Sequence, residues 1–249
     1  MKTDKDIIVI GDVHGITLWQ EIVKRHPDSK FVFLGDYCDP YQLIANEEVL
    51  ENFKQIILFK REHWDDVVLL LGNHDVHYIS DRAPIGSRFS LELMVDIEEL
   101  LVANADCFQC AFGYDNMIFT HAGVSYAWFE ENFHGDAQRD IAEQLIARAD
   151  DASLFDCGKS RGGPQEHGGI YWADEKELHC LPPNIIQIVG HTRMPEILRR
   201  EVESSTIYFC DCLWQSRYLL IEDHGHKRNF YQLALNDDKI LLGCEEKRI

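Results

Sequence analysis

Short apolar runs alternate with amphipathic stretches in the first part of the chain. Residues 6–11, Phe31–Leu34 and 67–71 are rich in Val, Ile, Leu and Phe, as buried strands are. Between them, Thr17–His26 and the stretch that starts at Asn46 repeat apolar residues at helical spacing, and Asn46 is expected to cap the second helix. The alternation predicts two βα units with parallel strands and right-handed crossovers.

Further along the chain the pattern shifts towards strands. Phe89–Ala103 is predicted as a helix that contains Leu91, Met94 and Val95 and has Glu98 and Glu99 on its solvent side. The other predicted elements are a hairpin of 106–112 and 117–120 around the turn 113–116, helices at about 125–132 and 136–150, a glycine-rich loop at 156–169, and strands at about 185–190, 205–210, 216–222 and 229–235. The last three strands are expected to form an antiparallel meander. This order suits two packed sheets with helices outside them, and residues 1–249 are predicted to form one domain.

Composition restricts the partners and the surroundings of the protein. The net charge of −19 argues against nucleic-acid backbones and anionic membranes, because both attract clustered Lys and Arg. No apolar run approaches the roughly 18 residues of a membrane span. The N-terminal residues do not resemble a signal peptide, so a cytoplasmic location is expected.

The eight cysteines do not require a disulfide framework at this chain length. The close spacings of Cys107 with Cys110 and of Cys210 with Cys212 leave a zinc site with four thiolates as an alternative. Because these residues lie in strand-like segments rather than in tight turns, we expect free, reduced thiols in the core.

One arrangement recurs at five places: a strand-like run ends, and an Asp, Asn or His follows at once. Open α/β sheets bind ligands at the carboxyl ends of their strands, so these five places are expected to face one shared site. The five segments are Gly11-Asp12-Val13-His14-Gly15, Gly35-Asp36-Tyr37-Cys38-Asp39, Gly72-Asn73-His74-Asp75, His121-Ala122-Gly123 and Gly190-His191-Thr192.

The residue types in these segments favour metal binding. Carboxylates, imidazoles and an amide, with no thiolate, suit Mn, Fe or Zn better than Ca. Asp36 has two oxygens and could bridge two cations, and two such ions roughly 3.5–4 Å apart form a clamp for in-line displacement at phosphorus. A single Asp after a strand is usually a turn former, and a single His is more often hydrogen-bonded than a ligand. Five segments of one type are hard to explain in that way.

These segments resemble the motifs of the calcineurin-like metallophosphoesterases, and in particular the bacterial branch similar to protein serine/threonine phosphatases. The family pattern is GDxHG, GDxxD, GNH[DE], a further His and GHT, and the matching segments span residues 11–192. The resemblance implies an α/β fold, a four-layer α/β/β/α sandwich of two mixed sheets flanked by helices. That architecture agrees with the order of the predicted elements.

The resemblance also implies a role for each matching residue. The expected cofactors are two divalent or trivalent metal ions, Mn, Fe or Zn. Their expected ligands are Asp12, His14 and Asp36 for the first ion, and Asp36, Asn73, His121 and His191 for the second. His74 is expected to donate a proton to the leaving oxygen, with Asp39 orienting it. The nucleophile would be the water that bridges the two metals.

The chain departs from the pattern of the eukaryotic phosphatases at two positions. Pro40 and Leu71 stand where that pattern has phosphate-gripping arginines. Arg161, in the glycine-rich loop, resembles the loop arginine of bacterial and phage members and is expected to act in catalysis by clamping the phosphate. Arg193, next to the last motif, is the second candidate, and the sequence leaves the choice between the two open.

The resulting hypothesis is a dinuclear metal-dependent phosphomonoesterase whose partner is a phosphorylated protein or small molecule. A symmetrical dinucleoside tetraphosphate hydrolase, or another enzyme that cleaves phosphodiesters or pyrophosphates, is the alternative with the same motifs. A non-catalytic binding scaffold is a weaker alternative, because all the ligand positions are filled. The natural substrate, the identity of the metals and the oligomeric state are left open.

Overall fold

In the computed structural model, residues 5–224, 227–236 and 238–246 are described, and they form twelve strands and six α-helices. None of these helices combines the length and the apolarity of a membrane span. The helices are α1 (Trp19–Arg25), α2 (Asn46–Glu62), α3 (Asn73–Val76), α4 (Met94–Ala103), α5 (Tyr126–Glu131) and α6 (Ile141–Ala147). The strands are β1 (Ile7–Ile10), β2 (Lys30–Phe33), β3 (Val67–Leu70), β4 (Phe108–Gln109), β5 (Ala111–Tyr114), β6 (Met117–Thr120), β7 (Ile186–Arg193), β8 (Leu198–Val202), β9 (Ser205–Asp211), β10 (Arg217–Asp223), β11 (Lys227–Ala234) and β12 (Lys239–Glu246).

The strands form two mixed sheets. The larger sheet has the order β12-β11-β10-β1-β2-β3-β4, in which β1 to β4 are parallel and the other neighbours are antiparallel. The smaller sheet has the order β5-β6-β7-β9-β8, with a parallel centre and antiparallel edges. The parallel strands of the two sheets carry the five motif segments at or near their carboxyl ends.

Alternating side chains of the strands divide the core into layers. One set, including Val9 and Val32, packs against Phe119 of the smaller sheet. The rings of Tyr208 and Phe230 stack in the same layer, with their centroids 4.6 Å apart. Because successive strand residues point to opposite faces, the remaining set faces away from the second sheet.

Helices cover the two outer faces. Ile8, from the remaining set, packs with Phe53 of α2 and Ile97 of α4. On the other side, Ile118 of the smaller sheet packs with Trp128 of α5. The expected sandwich of two mixed sheets flanked by helices is therefore confirmed.

The predicted meander has the wrong members. β9, expected as its first strand, lies between β7 and β8 in the smaller sheet, and the antiparallel meander consists of β10, β11 and β12. β9 is buried along its whole length, so its pattern indicates a central strand without indicating the sheet to which it belongs. β8 and β12 are edge strands with many charged residues and were not predicted, because they lack a regular apolar pattern.

The predicted helix at 89–103 is too long. α4 starts at residue 94 and buries Ile97 and Leu101. Leu91, which precedes the helix, and Val95 in its first turn are 78% and 57% exposed.

Tertiary contacts explain why local patterns misplaced the starts of α2 and α4. Phe89 stacks on Tyr78 with the ring centroids 4.7 Å apart, and Ser90 donates its backbone N–H to the Tyr78 hydroxyl at 2.9 Å. These contacts hold the segment outside a helix. Asn46 is the first residue of α2 rather than its cap, since its side-chain amide donates to Glu92 Oε2 at 2.8 Å instead.

The predicted strand at 106–112 divides between the two sheets, with β4 beside β3 and β5 beside β6. Cys107 and Cys110 consequently pack in different clusters of the core, and Cys210 and Cys212 pack in a third. Among the described residues, no group of converging metal-ligand atoms includes a cysteine. A zinc site built from these four thiols is therefore not formed in this part of the chain.

Arg228 offers a test of how the sheets are held together. It is 1% exposed and joins β11 to the turn between β5 and β6, with Nη1 donating to Asn116 Oδ1 at 3.0 Å and Nη2 to Asp115 Oδ2 at 2.9 Å. Arg228→Met is expected to lower the free energy of unfolding by about 3 kcal/mol, because buried polar groups lose a charged partner. Urea denaturation measures the change. The exposed Arg139→Met is the control, and equal effects of the two variants would contradict the assignment.

Candidate metal centre

The five motif segments meet at one edge of the sandwich. The loops after β1 and β2 lie side by side, with the N–H of His14 donating to the carbonyl of Asp36 at 2.7 Å. Both sheets contribute, because His121, after β6, donates its Nδ1–H to the main chain at the end of β2 at 2.7 Å. The N–H of His191, in β7, donates to the carboxylate of Asp12 at 3.0 Å. All the predicted ligands are thus brought to one place.

Three side chains form the first donor set. His14 Nε2 lies 4.0 Å from Asp12 Oδ2 and 3.6 Å from Asp36 Oδ2. One ligand atom from each of the three lies within 4.8 Å of the others, and all three residues are buried. The spacing leaves room for one cation between them.

Four side chains form the second donor set. Asn73 Oδ1 lies 2.9 Å from His121 Nε2 and 2.8 Å from His191 Nδ1. The two imidazole nitrogens are 3.1 Å apart, and Asp36 Oδ2 lies 3.5 Å from His121 Nε2. Asp36 therefore belongs to both sets, which is the position of a bridging carboxylate.

The hydrogen bonds of the rings fix the atoms that they present to the site. His14 donates its Nδ1–H to the carbonyl of Cys38 at 3.0 Å, and His121 donates its own to the carbonyl of Leu34. In each neutral ring the Nε2 lone pair then faces the donor set. The lone pair of His121 Nε2 opposes an oxygen lone pair of Asn73 at 2.9 Å, and a cation between them would satisfy both. The donor set fits a metal ion on this ground.

Burial keeps the imidazoles in the form that binds metals. It lowers the pKa of His14 to about 4 and lowers the pKa values of His121 and His191. Burial opposes ionisation of Asp36, but the neighbouring histidines, His121 first, hold the pKa of that carboxyl below its ordinary value. Neutral rings and an ionised carboxylate need lose no proton when a metal binds.

Repulsion between carboxylates also favours cations here. Burial, followed by the charges of Asp211 and Asp36, raises the pKa of Asp12 well above its ordinary value. Burial and the charge of Asp36 likewise raise the pKa of Asp211 to about 7. Buried carboxylates so close together destabilise one another unless positive charge is placed between them.

The backbone is strained where it presents these side chains. His14, Asp36, Asp39 and His191 have φ values of 44°, 53°, 57° and 60°. Left-handed conformations cost non-glycine residues of order 1 kcal/mol or more, so they persist only where the surrounding contacts enforce them.

Asp75 and Gly72 hold the Asp36 loop in this conformation. The Asp75 carboxylate accepts the N–H groups of Gly72 and Asp36 at 2.7 Å each and that of Tyr37 at 3.0 Å. A Cβ atom at Gly72 would lie 2.1 Å from Asp36 Oδ1, so only glycine allows this approach. Burial, followed by the charge of Asp36, raises the pKa of Asp75 to about 8, against the three N–H donors that favour its carboxylate form.

His74 lies beside the donor sets and is paired with Asp39. Its Nδ1–H donates to Asp39 Oδ2 at 2.8 Å, and its ring is 5.2 Å from that of His14. The other oxygen of Asp39 accepts the hydroxyl of Tyr78 at 2.5 Å, while His77 Nε2 lies 3.0 Å from Oδ2. Burial opposes protonation of His74, but the charge of Asp36 and the bond to Asp39 outweigh it and raise the pKa of His74.

Arg161 lies near the second donor set. Its Nε is 2.7 Å from Asp174 Oδ2, and its Nη2 donates to the hydroxyl of Thr192 at 2.9 Å. After burial, its charge is among the causes that lower the pKa values of His121 and His191. Two partners therefore orient this guanidinium towards the site.

Four residues of the site fell outside the roles expected from the sequence: Asp75, His77, Tyr78 and Asp211. His77 and Tyr78 follow His74 at spacings of three and four, which share one side of a helix, and this spacing was an available signal. Asp211 ends β9 as the motif carboxylates end their strands, but no glycine precedes it. Asp75 anchors the loop of Asp36, which is distant in sequence, and the residues around Asp75 give no sign of this role.

Comparison with known proteins decides the family. The sequence pattern of the family described as calcineurin-like phosphoesterase matches residues 5–195, which is more than half of the chain. The chain belongs to this family. It is therefore a metallophosphoesterase, a hydrolase that acts on ester bonds, and its groups of Asp and His suit the metal binding of the family.

Solved structures share the fold of this phosphoesterase. The cold-active protein-tyrosine phosphatase of a psychrophilic Shewanella species is 18% identical, with a TM-score of 0.56 over 96% of this chain and 80% of that chain. A mutant cold-active protein tyrosine phosphatase has a TM-score of 0.61 at 17% identity, with coverages of 96% and 80%. A protein serine/threonine phosphatase of Saccharomyces cerevisiae is 15% identical, with a TM-score of 0.54 and coverages of 99% and 81%. At these identities the likeness shows the fold.

The shared position of Asp36 predicts how metal binding responds to mutation. Calorimetric titration of the metal-free protein with Mn²⁺ is expected to show two ions bound. Asp36→Ala should lower the affinity for both Mn²⁺ ions by more than about tenfold. His14→Ala should lower the affinity for one ion and leave the affinity for the other unchanged. The exposed His63→Ala is the control. If Asp36→Ala loses one ion and keeps the second at the affinity of the unmodified protein, Asp36 does not bridge.

Proposed function

We propose that this phosphoesterase hydrolyses a phosphomonoester at two metal ions, with His74 as the general acid. The observation that carries the proposal is the arrangement of two donor sets around the shared Asp36, with the His74–Asp39 pair beside them. In this proposal the first ion is bound by Asp12, His14 and Asp36. The second ion is bound by Asp36, Asn73, His121 and His191. When bound, two such ions lower the pKa of water and neutralise phosphoryl oxygens.

His74 would supply the proton that the leaving oxygen needs. Its Nδ1–H is held by Asp39, so a protonated ring has its Nε2–H free to donate. The raised pKa keeps this proton available nearer to neutral pH. Asp39 in turn accepts the hydroxyl of Tyr78 and lies 3.0 Å from His77 Nε2, and these contacts limit the rotation of the pair.

Arg161 would bind a phosphoryl oxygen next to the second donor set. Asp174 forms an ion pair with the guanidinium and Thr192 accepts Nη2–H, so the direction of the guanidinium is set before the substrate arrives. A guanidinium that is already oriented loses less entropy on binding a phosphate.

The surroundings of the site favour a monoester over a polyphosphate. A groove of about 740 Å³ lies next to the site and contains Glu47, Glu48 and Glu51. It adjoins the cavity at Asp12 and His14, because Trp214 lines both. A leaving group with further phosphates would meet repulsion there, whereas a neutral or cationic one would not. The phosphatases of similar fold are named for phosphorylated tyrosine, serine and threonine in proteins, which supports the same class.

The role of His74 predicts a dependence on the leaving group. His74→Asn is expected to lower kcat for phenyl phosphate, whose phenol has a pKa of about 10, by about 100-fold or more. For aryl phosphates with more acidic phenols, which leave without a proton, the loss should be much smaller. Asp39→Asn should show the same trend to a lesser degree, and His63→Ala should show none. A uniform loss across the aryl phosphates would contradict the assignment.

The proposed substrate class predicts the order of activities in a panel. With Mn²⁺, kcat/KM for aryl phosphates and phosphopeptides is expected to exceed that for diadenosine tetraphosphate and a bis-aryl phosphate by about 100-fold, or about 2.7 kcal/mol. A chelator should abolish all hydrolysis, and added Mn²⁺ should restore it. A preference for diadenosine tetraphosphate would instead identify a pyrophosphate hydrolase.

A further inference from the structure

The guanidinium of Arg193 lies against two aromatic rings at the site, and its charge also acts on the carboxylate of Asp211 on the neighbouring strand. Its guanidinium carbon lies 4.2 Å from the ring centre of Trp214 and 4.9 Å from that of Tyr41. Within the described part of the chain it makes no ion pair and no side-chain hydrogen bond. A guanidinium stacked on rings has shielded faces, while its N–H donors remain available at its edge.

The position of Arg193 gives these donors access to the first donor set. It lines a small cavity whose other lining residues include Asp12, His14, Tyr41, Asp211 and Trp214. The ring of Tyr41 in turn contacts that of His14 edge-on, with centroids 4.7 Å apart. The cation is therefore next to the place proposed for the first metal ion.

A second cation stacks on Tyr41, one of the residues that line this cavity. The guanidinium carbon of Arg88 lies 4.5 Å from the ring centre of Tyr41, and Nη1–H donates to the carbonyl of Pro40 at 3.2 Å.

Trp214, which lines the same cavity, carries a buried Nε1–H that has no hydrogen-bond acceptor among the described residues. An unpaired donor beside a guanidinium suits an anion better than another cation.

We infer that Arg193 binds the phosphate group of the substrate beside the first donor set, and that Tyr41 and Trp214 position its guanidinium for this. Arg161 and Arg193 would then hold the phosphate from two sides. The inference rests on the proposed phosphoesterase site, but it concerns phosphate binding and can be tested without hydrolysis.

The test is calorimetric titration of the Mn²⁺-loaded protein with inorganic phosphate. Arg193→Met is expected to weaken phosphate binding by about tenfold or more, the loss of one or two charged hydrogen bonds. Arg193→Lys should recover only part of the lost phosphate affinity. An ammonium group does not stack on aromatic rings as a planar guanidinium does, and it does not offer paired N–H donors. The number of bound Mn²⁺ ions should stay the same in both variants, which shows that the site is intact. Arg139→Met is the matched control.

Kinetics separate a binding role from a purely structural one. With an aryl phosphate, Arg193→Met should raise KM by a factor similar to the loss of phosphate affinity, with a smaller change in kcat. Tyr41→Leu and Trp214→Leu should weaken phosphate binding when Arg193 is present and add little when it is Met. Additive effects would show that the rings do not act through Arg193.

The outcomes also separate this inference from the proposed function. Phosphate affinity of Arg193→Met within about twofold of the unmodified protein, or no phosphate binding by the unmodified protein, overturns the inference. Phosphate binding that depends on Arg193, without hydrolysis of any phosphomonoester, supports the inference and overturns the proposed function.

Discussion

The carboxylate of Asp36 is the group around which the rest of the site is arranged. One of its oxygens lies 3.6 Å from His14 Nε2 and 3.5 Å from His121 Nε2, so it belongs to both donor sets. It is also buried beside other carboxylates, which raises the free energy of the metal-free site. The same crowding favours the binding of cations between the carboxylates.

Such a site requires a rigid frame, and hydrogen bonds to the main chain of the loops provide it. Asp75 takes three N–H groups from two loops and fixes the left-handed conformation of Asp36. Gly72 allows those loops to approach to a distance that a Cβ atom would block. The two sheets supply the remaining rigidity, because their parallel strands end at the same edge and pack through a common apolar layer.

Two arginines bring positive charge to the site. Arg161 and Arg193 approach from the smaller sheet and its preceding loop. One is oriented by a carboxylate and a hydroxyl, and the other by aromatic rings. In a chain of net charge −19, such local cations are what an anionic substrate requires.

The sequence by itself determined the five motif segments, their positions at strand ends and the layered α/β architecture. These are local properties: Asp36 or Asn73 next to a glycine at the end of an apolar run is visible without knowing any contact. Only the tertiary structure decided that β9 joins the smaller sheet, that α4 starts after the Phe89–Tyr78 stack, and that Asp75 anchors a loop almost forty positions away. The physical reason is that periodicity reports how deeply a segment is buried, whereas the partner that buries it is chosen by packing between distant segments.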